Sequence, residues 1–271
     1  MGTARVIVIT GASDGIGAEM ARQWAQREGG KAVLVLAARS VDKLEQVAAE
    51  CRQRGATVRA RPCDVAEQRD CRALIDAASA EFGRIDILVN NAGMSAHALF
   101  EQVDDLAWYE RLMRVNHWGS VWCTHAALPH LKASRGRIVA VSSLAGLIGV
   151  PGRTAYSGTK FAMTGFFEAL RVELAPAGVS VTIAYPGVVA TQIRYRGFNA
   201  KGEAAGKSGL DERGAMSVEA CARLIIEGTE QRRRDIVMTA KGRLGRWLKL
   251  LAPGVVDRMA LKALKQEVRP Q

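Results

Sequence analysis

The sequence predicts an α/β fold: one doubly wound domain whose parallel sheet of about seven strands is flanked by helices, followed by a C-terminal helical extension. Three observations carry this. Apolar, β-branched runs recur along the 271 residues, among them Arg5 to Thr10 (RVIVIT), the VLVLAA run within Lys31 to Ala38, and Val179 to Tyr185 (VSVTIAY), and they read as strands buried on both faces. Segments with helical spacing lie between them, as at Val41, Leu44, Val47 and Ala48. The first strand also runs straight into the glycine turn Gly11-x-x-x-Gly15-x-Gly17. Such a turn lets a backbone approach a pyrophosphate closely and points the following helix's N-terminal amides at it.

The remaining elements follow in order. Ala56 to Pro62 gives the third strand, and Ala66 to Phe82 a helix that Asp64 is placed to cap. Asp86 to Asn90 is the fourth strand, Asp104 to Leu131 one long helical region, and Arg137 to Val141 the fifth strand. Thr154 to Leu174 is a helix, Val179 to Tyr185 the sixth strand, Ser217 to Glu230 a capped helix and Asp235 to Met238 a short last strand. Residues 190 to 216 are rich in glycine and polar residues, which suits a lid over a cleft. The expected division is a domain over residues 1–240 and a basic amphipathic helical extension over 241–271.

Composition narrows the class. With 48% hydrophobic residues the chain can bury one good core. There is no apolar run of eighteen residues, and the first strand begins at about Arg5, so the expected location is cytoplasmic. Val6 occupies the place where a myristoylation signal needs Ser or Thr. The five cysteines, Cys51, Cys63, Cys71, Cys123 and Cys221, form no Cys-x-x-Cys pair and no zinc spacing, and are read as reduced and structural. The formal charge is +11, yet no nucleic-acid module and no basic groove interleaved with aromatics accompanies it. No metal and no nucleic-acid partner are expected.

The chemistry concentrates in the segment from Ser143 to Lys160. Tyr156 and Lys160 are four apart, so on a helix they share a face, and an ammonium beside a phenol favours the phenolate. A free tyrosine titrates near ~10; a neighbouring cation can bring it within reach of general acid–base work at neutral pH. Ser143 follows the fifth strand, at the carboxyl end where open α/β sheets place their ligands. Exit chemistry at the second strand bears on the cofactor. Ala38-Arg39-Ser40 offers no carboxylate to a ribose 2′-hydroxyl and an arginine to a 2′-phosphate, which favours NADP(H) over NAD(H).

Taken together, Thr10 to Gly17, Asn90-Asn91-Ala92-Gly93, Asn116, Ser143, Tyr156-x-x-x-Lys160 and Pro186-Gly187 with Thr191 resemble the classical short-chain dehydrogenase/reductase family from residue 5 to about residue 240. The Ala38-Arg39-Ser40 exit resembles its 11β-hydroxysteroid dehydrogenase branch. The resemblance implies a Rossmann-like fold and a catalytic tetrad of Asn116, Ser143, Tyr156 and Lys160, with Asn116 kinking its helix and holding a water that connects to Lys160. It implies cofactor contacts from Gly11, Ser13, Asp14, Gly15, Ile16 and Gly17; from Arg39, Ser40, Asp64 and Val65; from Asn91, Ala92 and Gly93; and from Pro186, Gly187, Val189 and Thr191. NADP-preferring relatives often carry a basic residue just before the second glycine. This chain has Asp14 there, which suits a cap on the first helix.

The substrate is expected to be a small alcohol or ketone, held by Ser143 and Tyr156 among apolar neighbours such as Met94, Leu144 and Val150. His97 is the histidine nearest the cleft. The resemblance also implies a homodimer or homotetramer built on the helix bearing Tyr156 and the one before it. The extension beyond residue 241 packs on the core or a partner subunit, or lies on an anionic membrane surface. A cofactor-binding scaffold or sensor without turnover is the alternative from another class, and an intact tetrad argues against it.

Overall fold

The computed structural model describes residues 4–208 and 214–267. Its seven strands are β1 (Arg5–Thr10), β2 (Ala32–Ala38), β3 (Thr57–Pro62), β4 (Ile87–Asn90), β5 (Arg137–Val141), β6 (Ser180–Tyr185) and β7 (Asp235–Val237). They form one sheet in the order β3-β2-β1-β4-β5-β6-β7, every pairing parallel. The order reverses between β1 and β4. In a parallel sheet that reversal sends the crossovers on its two sides to opposite faces and leaves a crevice at the strands' carboxyl ends.

The alternation of side chains along β1 shows why the middle of this run, Val6 to Ile9, is apolar at every position. Ile7 and Ile9 face the layer made by α1 (Gly15–Glu28), α2 (Val41–Gln53) and α7 (Val218–Glu230), where Met20, Trp24, Leu44 and Ile225 are fully buried. Val6 and Val8 face the layer made by α3 (Gln68–Phe82), α5 (Gly119–Ser134) and α6 (Thr154–Leu174), which contributes Ile75, Leu131 and Phe167. With a helix layer on each side, neither face of a central strand such as β1 can be polar along its middle, whereas the edge strand β3 keeps Thr57 and Arg59 exposed.

One expectation needs revision. Asp64 does not cap α3: its carboxylate accepts from the Ala66 amide at 3.0 Å, closing a turn, and the helix starts only at Gln68. The long helical region expected over 104–131 is present as α4 (Ala107–Met113), a π turn over Arg114–Trp118 and α5, running without a break from Ala107 to Ser134. The segment after β6, read from the sequence as a candidate lid, is packed where it is described. His97 and Phe198 pair with each other's strand-like stretch, the His97 amide donating to Phe198 and the Phe198 amide to Ser95, both at 2.9 Å, and the Phe198 ring is buried against Trp108. Val188 and Ala190 are tied to Met216, which closes the base of the segment; residues 209–213 of it lie outside the described residues.

The extension forms two helices, α8 (Ala240–Leu251) and α9 (Pro253–Glu267), with residues 268–271 outside the described residues. Thr239 caps α8 by accepting from the Gly242 amide at 3.0 Å. Helix α8 is tied to the core: Arg246 pairs with Asp235 at 2.9 Å and Lys249 donates to the Leu147 carbonyl at 2.9 Å. Among the described residues, no helix is long and apolar enough to cross a membrane.

Candidate active site

A cleft of about 630 Å³ opens at the reversal between β1 and β4. Its first wall is the glycine turn. Gly11 has φ 66°, and a Cβ there would stand 2.7 Å from the Ala92 Cα; at Gly17 a Cβ would stand 2.4 Å from both the Asn91 amide nitrogen and the Gly11 carbonyl. Only glycine permits this close approach. Asn91 stitches the turn to the next wall, its Nδ2 donating to the carbonyls of Thr10 (3.0 Å) and Gly11 (3.1 Å). The Thr10 hydroxyl accepts from the amides of Asn91 and Ala92, both at 3.1 Å, and donates to Val89 at 3.2 Å. Thr10 is therefore the hub that fixes the Asn91-Ala92-Gly93 strand exit against the turn.

Ser13, Asp14, Gly15 and Ile16 line the cleft at the start of α1, and Asp14 caps that helix through a 2.6 Å bond from the Gly15 amide. The Ala12 amide donates to Ala37 at 3.1 Å, which lays the turn beside the β2 exit, where Arg39 and Ser40 line the same cleft. Asp64 and Val65 continue the wall, and Gly119 packs so tightly on Val65 that a Cβ would meet its carbonyl at 2.6 Å. Pro186, Gly187, Val189 and Thr191 close the opposite side, the Thr191 methyl lying 3.4 Å from where a Gly15 Cβ would be.

The catalytic candidates line the same space. Lys160 is wholly buried on α6; its ammonium donates to the Val141 carbonyl at 2.9 Å and to the Met163 sulfur at 3.4 Å, leaving a third N–H for the cleft. Burial pulls its proton affinity below the ordinary lysine range, the charge of Arg153 acts in the same direction, and Tyr156 opposes both. The Lys160 ammonium lies 5.8 Å from the centre of the Tyr156 ring, so the two do share a helix face. Ser143, at the end of β5, accepts from the Ala145 amide at 3.2 Å, and its own O–H remains to donate to a substrate oxygen.

Asn116 sits in the π turn and is fully buried without lining the cleft. Its Oδ1 accepts from the Met94 amide at 2.7 Å, and its Nδ2 donates to the Met94 carbonyl at 3.0 Å and to the Thr159 hydroxyl at 2.9 Å. The side chain thus clasps the segment after β4 to α6. Gly93 lies between Asn116 and Lys160: a Cβ there would be 3.2 Å from the Asn116 Oδ1 and 3.7 Å from the Lys160 ammonium.

Some expected residues are elsewhere. Gly17 shapes the turn from behind and lines nothing. Leu144 is not among the residues lining the cleft; it lies 2.4 Å from where a Gly242 Cβ would be and 3.5 Å from where a Gly187 Cβ would be, between α8 and the cleft wall, and Val150 packs in the cluster around Trp108, Leu112 and Tyr156. Of the three apolar substrate contacts expected, only Met94 lines the cleft. His97 is not in the cleft wall either. It packs on Gly152, and burial, with Arg153 nearby, holds its imidazole below the usual range.

Three arginines were missed. Arg153, just before α6, is buried with its guanidinium 4.3 Å from the centre of the Tyr156 ring, donating to the Ala96 carbonyl at 3.2 Å and the Ser95 hydroxyl at 2.5 Å. Arg194 and Arg196 reach the cleft from the segment after Thr191, Arg196 pairing with Asp14. Only the position of Arg153, three before Tyr156, could have drawn attention to it. Among the described residues no cluster of His, Cys, Asp or Glu could hold a metal ion.

One continuous cleft therefore joins the glycine turn at the start of α1 to a buried lysine, a tyrosine and a serine. A family model described as short chain dehydrogenase matches residues 5–201. The chain belongs to the short-chain dehydrogenase family. It is an oxidoreductase of the kind that acts on alcohol and ketone groups. The chain is 37% identical over 262 residues to 11-beta-hydroxysteroid dehydrogenase A of Sesamum indicum, covering 93% of this chain and 73% of that protein. It is 35% identical over 263 residues to 11-beta-hydroxysteroid dehydrogenase 1A of Arabidopsis thaliana, with the same coverage. Among solved structures, a short-chain dehydrogenase from Sphingobium yanoikuyae in complex with NADPH superposes with a TM-score of 0.77 at 29% identity, over 93% of this chain and 95% of that one. An alcohol dehydrogenase from Thermococcus sibiricus complexed with 5-hydroxy-NADP gives 0.73 at 26% identity, over 86% and 94%.

Proposed function

We propose that this short-chain dehydrogenase moves a hydride between NADP(H) and an apolar secondary alcohol or ketone, with Ser143, Tyr156, Lys160 and Asn116 as its catalytic group. The carrying observation is that Tyr156, Lys160 and Ser143 line the same cleft as the glycine turn and Arg39. A dinucleotide fits the residues present: the flush backbone at Gly11 and Gly17 clears room for a pyrophosphate at the α1 N-terminus, and Pro186 to Thr191 stands ready for the nicotinamide side. When bound, NADP(H) supplies the redox equivalent, which no side chain of the protein can.

The chain's own residues do the rest. Ser143 donates to the substrate oxygen, and Tyr156 gives its phenolic proton to that oxygen in reduction or takes it in oxidation. Lys160, fixed by Val141 and Met163, keeps a positive charge beside the phenol and offers its third N–H to the nicotinamide ribose. Asn116 positions the α6 helix and the Met94 segment that together frame this group. Met94, Val115, Val188 and Ile193 give the cleft apolar wall, which supports a hydrophobic substrate such as a steroid, lipid or aromatic compound.

Preference for NADP(H) rests on Arg39 and on the absence of a carboxylate at the β2 exit. Equilibrium binding of NADPH and NADH, read by cofactor fluorescence, tests it. Arg39→Ala is expected to weaken NADPH by about tenfold or more, in keeping with a lost charge-assisted contact, and to leave NADH nearly unchanged. Equal loss for both cofactors would sink the assignment. Consumption of NADPH with a panel of ketones separates an enzyme from a non-turning scaffold.

A further inference from the structure

Helix α8 is mounted the wrong way round for a surface helix. An amphipathic helix ordinarily buries its apolar stripe and shows its charges. Here the stripe turned to the body is made of Gly242, Gly245, Arg246 and Lys249. A Cβ at Gly242 would meet Leu144 at 2.4 Å and one at Gly245 would meet Ile148 at 2.7 Å, while Arg246 and Lys249 are engaged with Asp235, the Leu147 carbonyl and the Phe161 ring. The opposite stripe is Leu244, Trp247 and Leu251, spaced three and four apart on one face, with Leu250 beside it. Trp247 is 64% exposed and Leu251 82%. Helix α9 adds Met259 and Leu261, also exposed. Six of the twelve large hydrophobic residues exposed among the described residues therefore fall within this short hairpin.

The two glycines explain the inversion. They allow α8 to lie close against the 144–148 turn, a contact that needs no apolar side chain from α8 itself, so the apolar stripe is not spent on the core. What surrounds that stripe is basic: Lys241, Arg243, Arg258 and Lys262 are exposed, and over residues 240–267 the sequence has seven Lys or Arg against two acidic residues. Leucine and tryptophan framed by lysine and arginine is the composition that settles at the boundary between headgroups and acyl chains of an anionic leaflet, whereas a second protein copy with the same positive charge would be repelled.

We propose that the outward face of α8 and α9 is a docking surface for an anionic lipid bilayer, with Trp247, Leu251 and Met259 entering the interface and Lys241, Arg258 and Lys262 held to the headgroups. The hairpin rests on the turn that follows Ser143, so a docked bilayer would stand beside the part of the cleft where an apolar substrate is handled. That last point depends on the proposed function; the docking itself does not.

The test is flotation of the full chain with vesicles of phosphatidylcholine alone and of phosphatidylcholine with phosphatidylserine, at low and high salt. Binding is expected only with phosphatidylserine, and it should weaken severalfold as salt is raised. Lys241→Glu with Lys262→Glu, both exposed and free of any role in the fold, should lower binding by roughly twentyfold or more. Trp247→Glu should abolish it, and its circular dichroism should match that of the parent. Tyr156→Phe should bind vesicles as the parent does, which keeps this result separate from any failure of the enzymatic reading. No preference for phosphatidylserine, or indifference to both sets of substitutions, overturns the proposal. So does a sedimentation result in which Trp247→Glu splits a dimer while the parent ignores vesicles, because the face would then belong to a second copy.

Discussion

At the scale of single residues, the proposed mechanism divides the site into groups that touch the reacting atoms and groups that hold those in place. Tyr156 belongs to the first kind. Replacing it with Phe removes one oxygen and leaves the ring between Arg153 and Lys160, so the expected result is a loss of turnover of about 10²- to 10⁴-fold with NADPH affinity nearly unchanged, measured by steady-state rates and fluorescence titration. Retention of most activity would refute its role. Asn116 belongs to the second kind, because all of its side-chain bonds go to Met94 and Thr159.

Residue identity also shows what the sequence could and could not reveal. The Tyr156 and Lys160 pair was legible because helical spacing alone places both on one face. Whether Leu144 and Val150 reach a substrate was not legible, because an apolar residue near Ser143 looks the same in a sequence whether it faces a ligand or a neighbouring helix; the structure sets Leu144 against the close glycines of α8. Arg153 was missed because its meaning lies in contacts to Ser95 and Ala96, more than fifty positions earlier.

At the scale of elements, strands were the most legible part. The middle of a run such as RVIVIT, Val6 to Ile9, is apolar at every position because helices cover both faces, and the polar residues or glycines at its ends mark the limits. Helix beginnings were less so: Asp64 looks like a cap, yet it closes a separate turn before α3 starts. The elements are also joined by charges that no periodicity betrays. Arg5 at the start of β1 bonds both Glu28 at the end of α1 and Glu230 at the end of α7, and Arg137 of β5 lies 3.7 Å from Glu230.

Burial alone would raise the Glu230 carboxyl, but the bond from Arg5 and the charges of Arg5 and Arg137 outweigh it and hold the group below the usual carboxylate range. A depressed carboxylate contributes stability that is complete above its unfolded value of about 4.5 and fades as pH falls through the lower folded value. Glu230→Gln is therefore expected to be about 1–2 kcal/mol less stable at neutral pH by urea unfolding, with the gap to the parent narrowing in acid. A gap that stays constant or widens on acidification would show that the Arg5 cluster contributes little.

At the scale of the whole molecule, one surface outside the cleft stands out on the α4, α5 and α6 side. Trp118 is exposed and stacks on Trp122 at 5.9 Å, and with Phe100, Tyr109 and Met113 these rings border an apolar hollow against the start of α6. This is the face on which the family resemblance puts the subunit contact, and it supports the proposal of a homo-oligomer. Trp118→Glu should yield a smaller species by sedimentation velocity at micromolar concentration, and its cleft should still bind NADPH. An unchanged size, or a parent that is already monomeric, would place the contact elsewhere or remove it.

The π turn at Arg114–Trp118 has a bearing on how this chain can change over time. Each residue of a helix rotates the next by about 100°, so the extra residue in that turn sets the angular phase of everything in α5 relative to α4. Losing one amino acid there would make the helix more regular and at once swing Asn116 off Met94 and Gly119 off Val65, undoing the two contacts that bind it to the cleft. Substitutions along this helix can be absorbed one at a time, but a change in its length cannot, and single-residue deletions between 114 and 118 should be absent from any library selected for function.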